Sequence, residues 1–234
     1  MGTGLRNNVR TALEFYKEFG FENLPLTLNN VVDKQIALQT LRNEIGNCRR
    51  CKLSKGRTNI VFGEGNVDAI IMFIGEAPGR EEDEQGRPFV GEAGQILTSL
   101  INKMGEGRGF TRKDVYIANV VKCRPPMNRD PQDDEIKTCL PFLNKQIEII
   151  SPKIIMALGR VSAHTLLGIS EPLAKFSITK VRGRFYEYKA GRRTIPVMPT
   201  FHPAYFLRNK KDKYLTWNDA QAVLKKIDLM EGAR

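Results

Sequence analysis

Apolar positions along the chain follow two alternating patterns. Ala69–Gly75 (AIIMFIG), Val115–Val121 (VYIANVV) and Lys153–Leu158 (KIIMAL) are short, almost continuous apolar runs, the composition of strands buried on both faces. Between and around them, apolar residues recur at helical spacing over Thr27–Ile45, Ala93–Met104, Asp130–Ile150 and Leu215–Met230. Asp130-Pro131 is a helix-start signal, and Val161–Leu167 reads as a shorter helix. Lys180–Thr200 reads as a hairpin that turns at Lys189–Arg192. Strands alternating with helices predict an α/β fold, a three-layer α/β/α sandwich around a mainly parallel four-stranded sheet. Residues 1–30 carry Leu13, Phe15, Tyr16 and Phe19 and read as a helical N-terminal extension; 31–234 read as a single domain.

One connection differs from an ordinary strand-to-helix loop. After Gly75 the chain runs GEAPGREEDEQGRPFVGEAG before a helix begins near Ala93. It joins a Gly/Pro turn, the acids Glu81, Glu82, Asp83 and Glu84, and a lone aromatic, Phe89. In open α/β sheets ligands bind at such strand C-termini.

Charge narrows the partner. The 234 residues carry a formal charge of +11, with basic residues thickening at 48–57, 180–193 and 208–213. That balance favours an anionic partner, nucleic acid foremost. No apolar run is long enough to cross a bilayer and the N-terminus lacks an apolar leader, so no membrane association is expected and the expected location is cytoplasmic.

The four cysteines are Cys48, Cys51, Cys123 and Cys139. The C-x-x-C pair in a basic loop points to metal or redox chemistry rather than to a core. Thioredoxin-type exchange fits poorly, because this pair neither follows a strand nor opens a helix. Four thiolates from separate elements suit zinc or an iron–sulfur cluster, and spacing alone does not separate the two. Either would be structural, since all four ligands would be occupied by protein.

Candidate chemistry gathers at three strand ends. The first supplies Gly75, Glu76, Ala77 and, further on, Phe89; the second supplies Asn119; the hairpin ends at His202. An amide reads a donor and an acceptor together, an aromatic ring stacks on a base, and an imidazole stabilises charge on a carbonyl oxygen. That set suits a pyrimidine extruded from DNA. A zinc deaminase would need H-x-E with P-C-x-x-C, which is missing. A nuclease would need paired carboxylates, for which only Glu81–Glu84 offers itself.

The stretches GEAPGREEDEQGRPFVGEAG, ANVVKCRPPMNRDP, IIMALG and HPAYFLRN closely resemble the family 4, iron–sulfur-containing uracil-DNA glycosylases. The similarity runs from about Cys48 to the C-terminal helix. It implies excision of uracil from single- and double-stranded DNA by a monomer, leaving an abasic site. It implies a structural [4Fe-4S] cluster on Cys48, Cys51, Cys123 and Cys139, with no catalytic divalent metal. It implies a uracil pocket of Gly75, Glu76, Ala77, Phe89, Asn119 and His202, in which Phe89 stacks, Asn119 reads the N3 and O4 edge and His202 faces O2. A wedge of Tyr205, Phe206, Leu207 and Arg208 would fill the gap left in the duplex. Ala77 stands where better-known uracil glycosylases carry a water-positioning aspartate. The expected helper is therefore Glu82, with Glu76, Asp83 or a water that attacks with little help as alternatives. A non-catalytic DNA-binding module of the same fold is the rival reading.

Overall fold

The computed structural model describes residues 33–232; the expected helix around Leu13–Phe19 and residues 27–32 lie outside that range. Six strands form one sheet: β1 (Glu64–Gly65), β2 (Ile71–Gly75), β3 (Tyr116–Asn119), β4 (Ile154–Leu158), β5 (Tyr186–Ala190) and β6 (Arg193–Thr200), in the order β1-β3-β2-β4-β6-β5. The central four strands are parallel, as expected. Two antiparallel edges widen the sheet, the two-residue β1 against β3 and the hairpin partner β5 against β6.

The main helices are α1 (Lys34–Ile45), α2 (Arg80–Gln85), α3 (Glu92–Gly105), α4 (Asp133–Ile150), α5 (Arg160–Leu166), α6 (Ile178–Val181), α7 (Tyr205–Arg208) and α8 (Lys213–Gly232). Side chains on β2 alternate between faces. Met72 and Ile74 pack with α1 and α4 through Leu41, Leu143 and Ile147. Ile71 and Phe73 pack with α3 and α8 through Leu97, Ile101, Val223 and Ile227. Both faces are thus covered, which is why the strands read as continuous apolar runs rather than alternating ones. Each such fully buried side chain contributes on the order of 1.5–3 kcal/mol.

The register sets the site. Gly75 of β2 lies beside Asn119 of β3, and Leu158 of β4 beside Thr200 of β6. All four parallel strands therefore end at one edge. β2 connects to β3 on one side and neighbours β4 on the other, the arrangement that opens a crevice at the strand C-termini. Among the described residues, no helix is long and apolar enough to cross a membrane.

Candidate active site

A cavity of about 740 Å³ opens at this edge, within the range of small-molecule and cofactor sites. Glu76, Ala77, Phe89, Asn119 and His202 all line it, together with Glu82, Ala204 and Leu207. Residues from three strand ends thus meet around one space, as the sequence predicts. Gly75 plays a different part from the one expected. A Cβ there would sit 2.5 Å from Asn119 Oδ1 and 2.5 Å from Phe89 Cζ, so glycine lets the ring and the amide close in behind the wall.

Phe89 is buried and adopts a left-handed backbone, φ +52°, which is costly for an aromatic residue and typical of functional sites. The following turn is locked by Glu82. Its Oε1 accepts from the Val90 and Gly91 amides at 2.8 and 2.9 Å, and its Oε2 accepts from the Gly79 amide at 3.1 Å. Both carboxylate oxygens of Glu82 are engaged with backbone, so it staples Gly79 to the Phe89 turn. The expectation that Glu82 helps water attack is corrected on this ground.

Two other acids of that run have separate duties, while Glu81 lines the cavity. The run forms the short helix α2. Asp83 is buried and accepts from the Thr58 and Asn59 amides, and Glu84 pairs with Arg80. Asp83 therefore anchors the loop that follows the first cysteine pair and is not available to water either.

Asn119 ends β3 on the cavity wall. Among the described residues, its Oδ1 and Nδ2 are the buried side-chain polar atoms that lack a hydrogen-bond partner. Buried polar groups are almost always paired, so an orphaned donor and acceptor on one cavity wall mark a ligand edge. The backbone behind it is firmly held. Lys122 is fully buried, and its Nζ donates to Asn119 O at 2.8 Å and to Gln146 Oε1 at 2.6 Å. Gln146 in turn donates to Phe62 O at 2.8 Å. Burial pulls the Lys122 ammonium down to about 8. The sequence offers no sign of this buttress, because a lysine in an apolar run reads as an interruption.

His202 follows β6 and its ring lies 5.6 Å from that of Phe89, centroid to centroid. Its Nδ1 accepts from the Ala204 amide at 3.2 Å, which leaves the proton of the neutral ring on Nε2. Burial lowers its pKa to about 4, against the opposing charge of Glu82. At neutral pH the residue is an uncharged donor. Gly159, at φ +90°, lets this histidine pack closely, since a Cβ there would meet His202 Cβ at 2.8 Å.

Glu76 lines the cavity at the start of the turn, with Glu81 and Glu92 further along it. Burial raises its pKa to about 7; the nearby Asp130 adds to the rise and Arg160 opposes it. Asp130 and Arg160 form an ion pair with each other. The loop between β3 and α4 supplies Pro125, Asn128 and Arg129 to the same cavity. Sequence reasoning assigned these no role, although a Pro-Pro pair soon after Asn119 is a visible turn signal.

The expected wedge divides. Phe206 is buried and packs edge-on against Phe201. Tyr205 stacks on Phe201 at 4.6 Å and donates to Asp212 at 2.6 Å. These two hold the short helix α7 in place, and Phe206 cannot insert into DNA. Leu207 and Arg208 are exposed. Part of the basic excess is likewise internal: Arg182 pairs with the buried Asp219, and Arg57 donates to Asn47 and towards Cys123.

All four cysteines surround one small cavity beside Lys122. Among the described residues, no three His, Cys, Asp or Glu side chains gather tightly enough for a single metal ion. Donors face three of the sulfurs: Arg50 Nη1 to Cys48 at 3.4 Å, Arg57 Nη1 to Cys123 at 3.6 Å, and the Lys122 amide to Cys139 at 3.3 Å. Burial pushes the Cys123 thiol up to about 12 and raises Cys139. Without a cationic occupant the thiolates are disfavoured; with one, the N–H donors suit them.

Comparison with known proteins resolves the family. A sequence model of the uracil DNA glycosylase superfamily matches residues 62–224. The type-4 uracil-DNA glycosylase of Sulfurisphaera tokodaii is 51% identical over 174 residues, 74% of this chain and 77% of the relative. The chain belongs to the type-4 uracil-DNA glycosylases. The type-4 proteins of Saccharolobus solfataricus (52% over 172 residues, 74% of this chain and 78% of the relative) and Thermotoga maritima (48% over 176 residues, 75% and 86%) are similarly related. In this type-4 chain the matched segment holds every residue that lines the cavity.

Proposed function

We propose that this protein extrudes uracil from single- and double-stranded DNA and hydrolyses its N-glycosidic bond, leaving an abasic site. The observation that carries the reading is the orphaned Asn119 amide beside the Phe89 ring and the neutral His202. Uracil offers an N–H donor at N3 and an acceptor at O4, the complement of Oδ1 and Nδ2. Phe89 covers the base face. His202 donates from Nε2 to O2, where negative charge collects as the C1′–N1 bond breaks. One such donor lowers the barrier by about 3–4 kcal/mol.

Glu76 sits on the sugar side of the reaction. As a carboxylate it stabilises the oxocarbenium-like sugar and accepts a proton from the attacking water at C1′; Ala77 offers no such group. Glu82 holds the turn that carries Phe89. Leu207 and Arg208 occupy the stack where the base has left. Residues 31–234 act as one domain, and the protein works as a monomer within the cell interior.

Cys48, Cys51, Cys123 and Cys139, gathered around one cavity, would hold a [4Fe-4S] cluster, for which four thiolates are the ligand set. Bound there, the cluster supplies a cross-link between the loop at 48–57, the exit of β3 and α4. Asn119 and Cys123 are near neighbours in sequence, so the same cross-link steadies the amide.

The test is a uracil-containing oligonucleotide incubated with protein and then treated with alkali. Strand scission at the uracil position is expected. Intact strands with protein in excess and undiminished salt-dependent DNA binding would select a non-catalytic DNA-binding module instead.

A further inference from the structure

The loop Pro125–Arg129 holds a feature that uracil recognition leaves unused. Met127 is 94% exposed, more than any other large apolar side chain among the described residues. It does not hang on a floppy segment. Pro125 is buried, Arg124 Nε donates to Asn128 Oδ1 at 2.7 Å, and Arg129 forms a bidentate pair with the buried Glu135 at 2.8 and 2.7 Å. Met127 and Asn128 both take left-handed backbone, φ +54°, a strained conformation for side-chain-bearing residues. A braced, strained loop therefore projects an apolar side chain into water.

Its neighbours say what it meets. Pro125, Asn128 and Arg129, on either side of Met127, line the same cavity as Leu207, whose side chain is 41% exposed. Met127 itself is not part of the cavity lining but stands in the chain between residues that are, so DNA flanking a nucleotide in the cavity would pass this loop. Arg129 and Arg160 are already paired with Glu135 and Asp130, and Arg124, held on Asn128, adds positive charge beside Met127 that suits a phosphate backbone. Apolar side chains held rigidly at a DNA surface act by entering a base step and unstacking it, and methionine is one of the residues used this way.

We propose that Met127 is a second wedge, separate from Leu207, that enters the base stack of duplex DNA beside the extruded nucleotide. The proposal rests on the reading that this cavity takes a base from DNA. It assigns Met127 a part in duplex substrates, where a stack must be opened, that single strands do not require.

The experiment compares wild type, Met127→Ala and Met127→Leu on one uracil sequence presented as single strand and as duplex, with 2-aminopurine beside the uracil in a parallel set. In Met127→Ala the ratio of duplex to single-strand kcat/KM should fall about tenfold, and the 2-aminopurine fluorescence rise on duplex binding should shrink. Met127→Leu should restore both. An unchanged ratio with an unchanged fluorescence rise overturns the wedge, as does an equal loss on both substrates. Wild type that cleaves neither substrate refutes uracil excision instead, and the fluorescence arm still decides the wedge. A thermal midpoint matching wild type certifies the fold of each variant.

Discussion

Replacing Asn119 by leucine separates a binding amide from a structural one by the sign of two effects. The side chains are close in size, and the amide is buried without a partner among the described residues. A buried unsatisfied polar group costs about 1–3 kcal/mol, so the apolar replacement should stabilise the free protein by that order. For a chain of this length, each kcal/mol corresponds to roughly 2–4 °C in Tm. Activity should move the other way. Leucine leaves the uracil N3–H and O4 buried and unmatched, and sites built around such hydrogen bonds lose roughly 10⁴-fold when the match is removed. Differential scanning calorimetry and single-turnover excision on one preparation read both quantities. A fall in Tm alongside the fall in activity would refute the reasoning, because the amide would then be holding the fold. Retained excision would refute it from the other side.

Three further outcomes follow from the same geometry. Glu76 binds its proton up to about pH 7 in the folded protein, well above the ordinary carboxylate range. The excision rate should therefore rise with pH through about 7, and Glu76→Gln should be slow and flat across it. In stability the sign reverses: the folded state holds this proton more tightly, so its contribution is lost as pH rises from about 4.5 to about 7, and Glu76→Gln should lack that loss in pH-dependent denaturation. Gly75→Ala should cut excision sharply and lower Tm, since the new methyl would need the Phe89 ring and the Asn119 amide to retreat, an overpacking cost of about 1–3 kcal/mol; unaltered kinetics would show that the ring and amide move freely. The purified wild type should show the visible absorbance of a [4Fe-4S] cluster, and Cys123→Ser should lose it and lower Tm, whereas an absorbance-free wild type with stoichiometric zinc would replace the cluster by a zinc site.

Much of the site was legible before any coordinates. Phe89, Asn119 and His202 each follow a strong apolar strand or a hairpin, and parallel strands deliver their C-terminal ends to one edge whatever the details of packing. The four cysteines likewise declared themselves by residue type. What misled was the acid run. Glu82 was expected at the water because carboxylates are the common choice for that task, yet a carboxylate also satisfies backbone amides at a tight turn, and residue type cannot distinguish the two duties. Phe206 was grouped with Leu207 because both are apolar and adjacent, although a single helical turn sends one inward and the other outward.

The order of strands and helices, the expectation of a buried parallel sheet and the inventory of chemical groups belong to the sequence alone, because they depend on local periodicity and on what each side chain is. The tertiary structure decided which groups were already satisfied. It placed Glu82 on three backbone amides, set Lys122 behind Asn119, and left the Asn119 amide without a partner among the described residues. Hydrogen bonding is settled by distances of a few tenths of an ångström between residues far apart in the chain, and no pattern along the sequence records those distances.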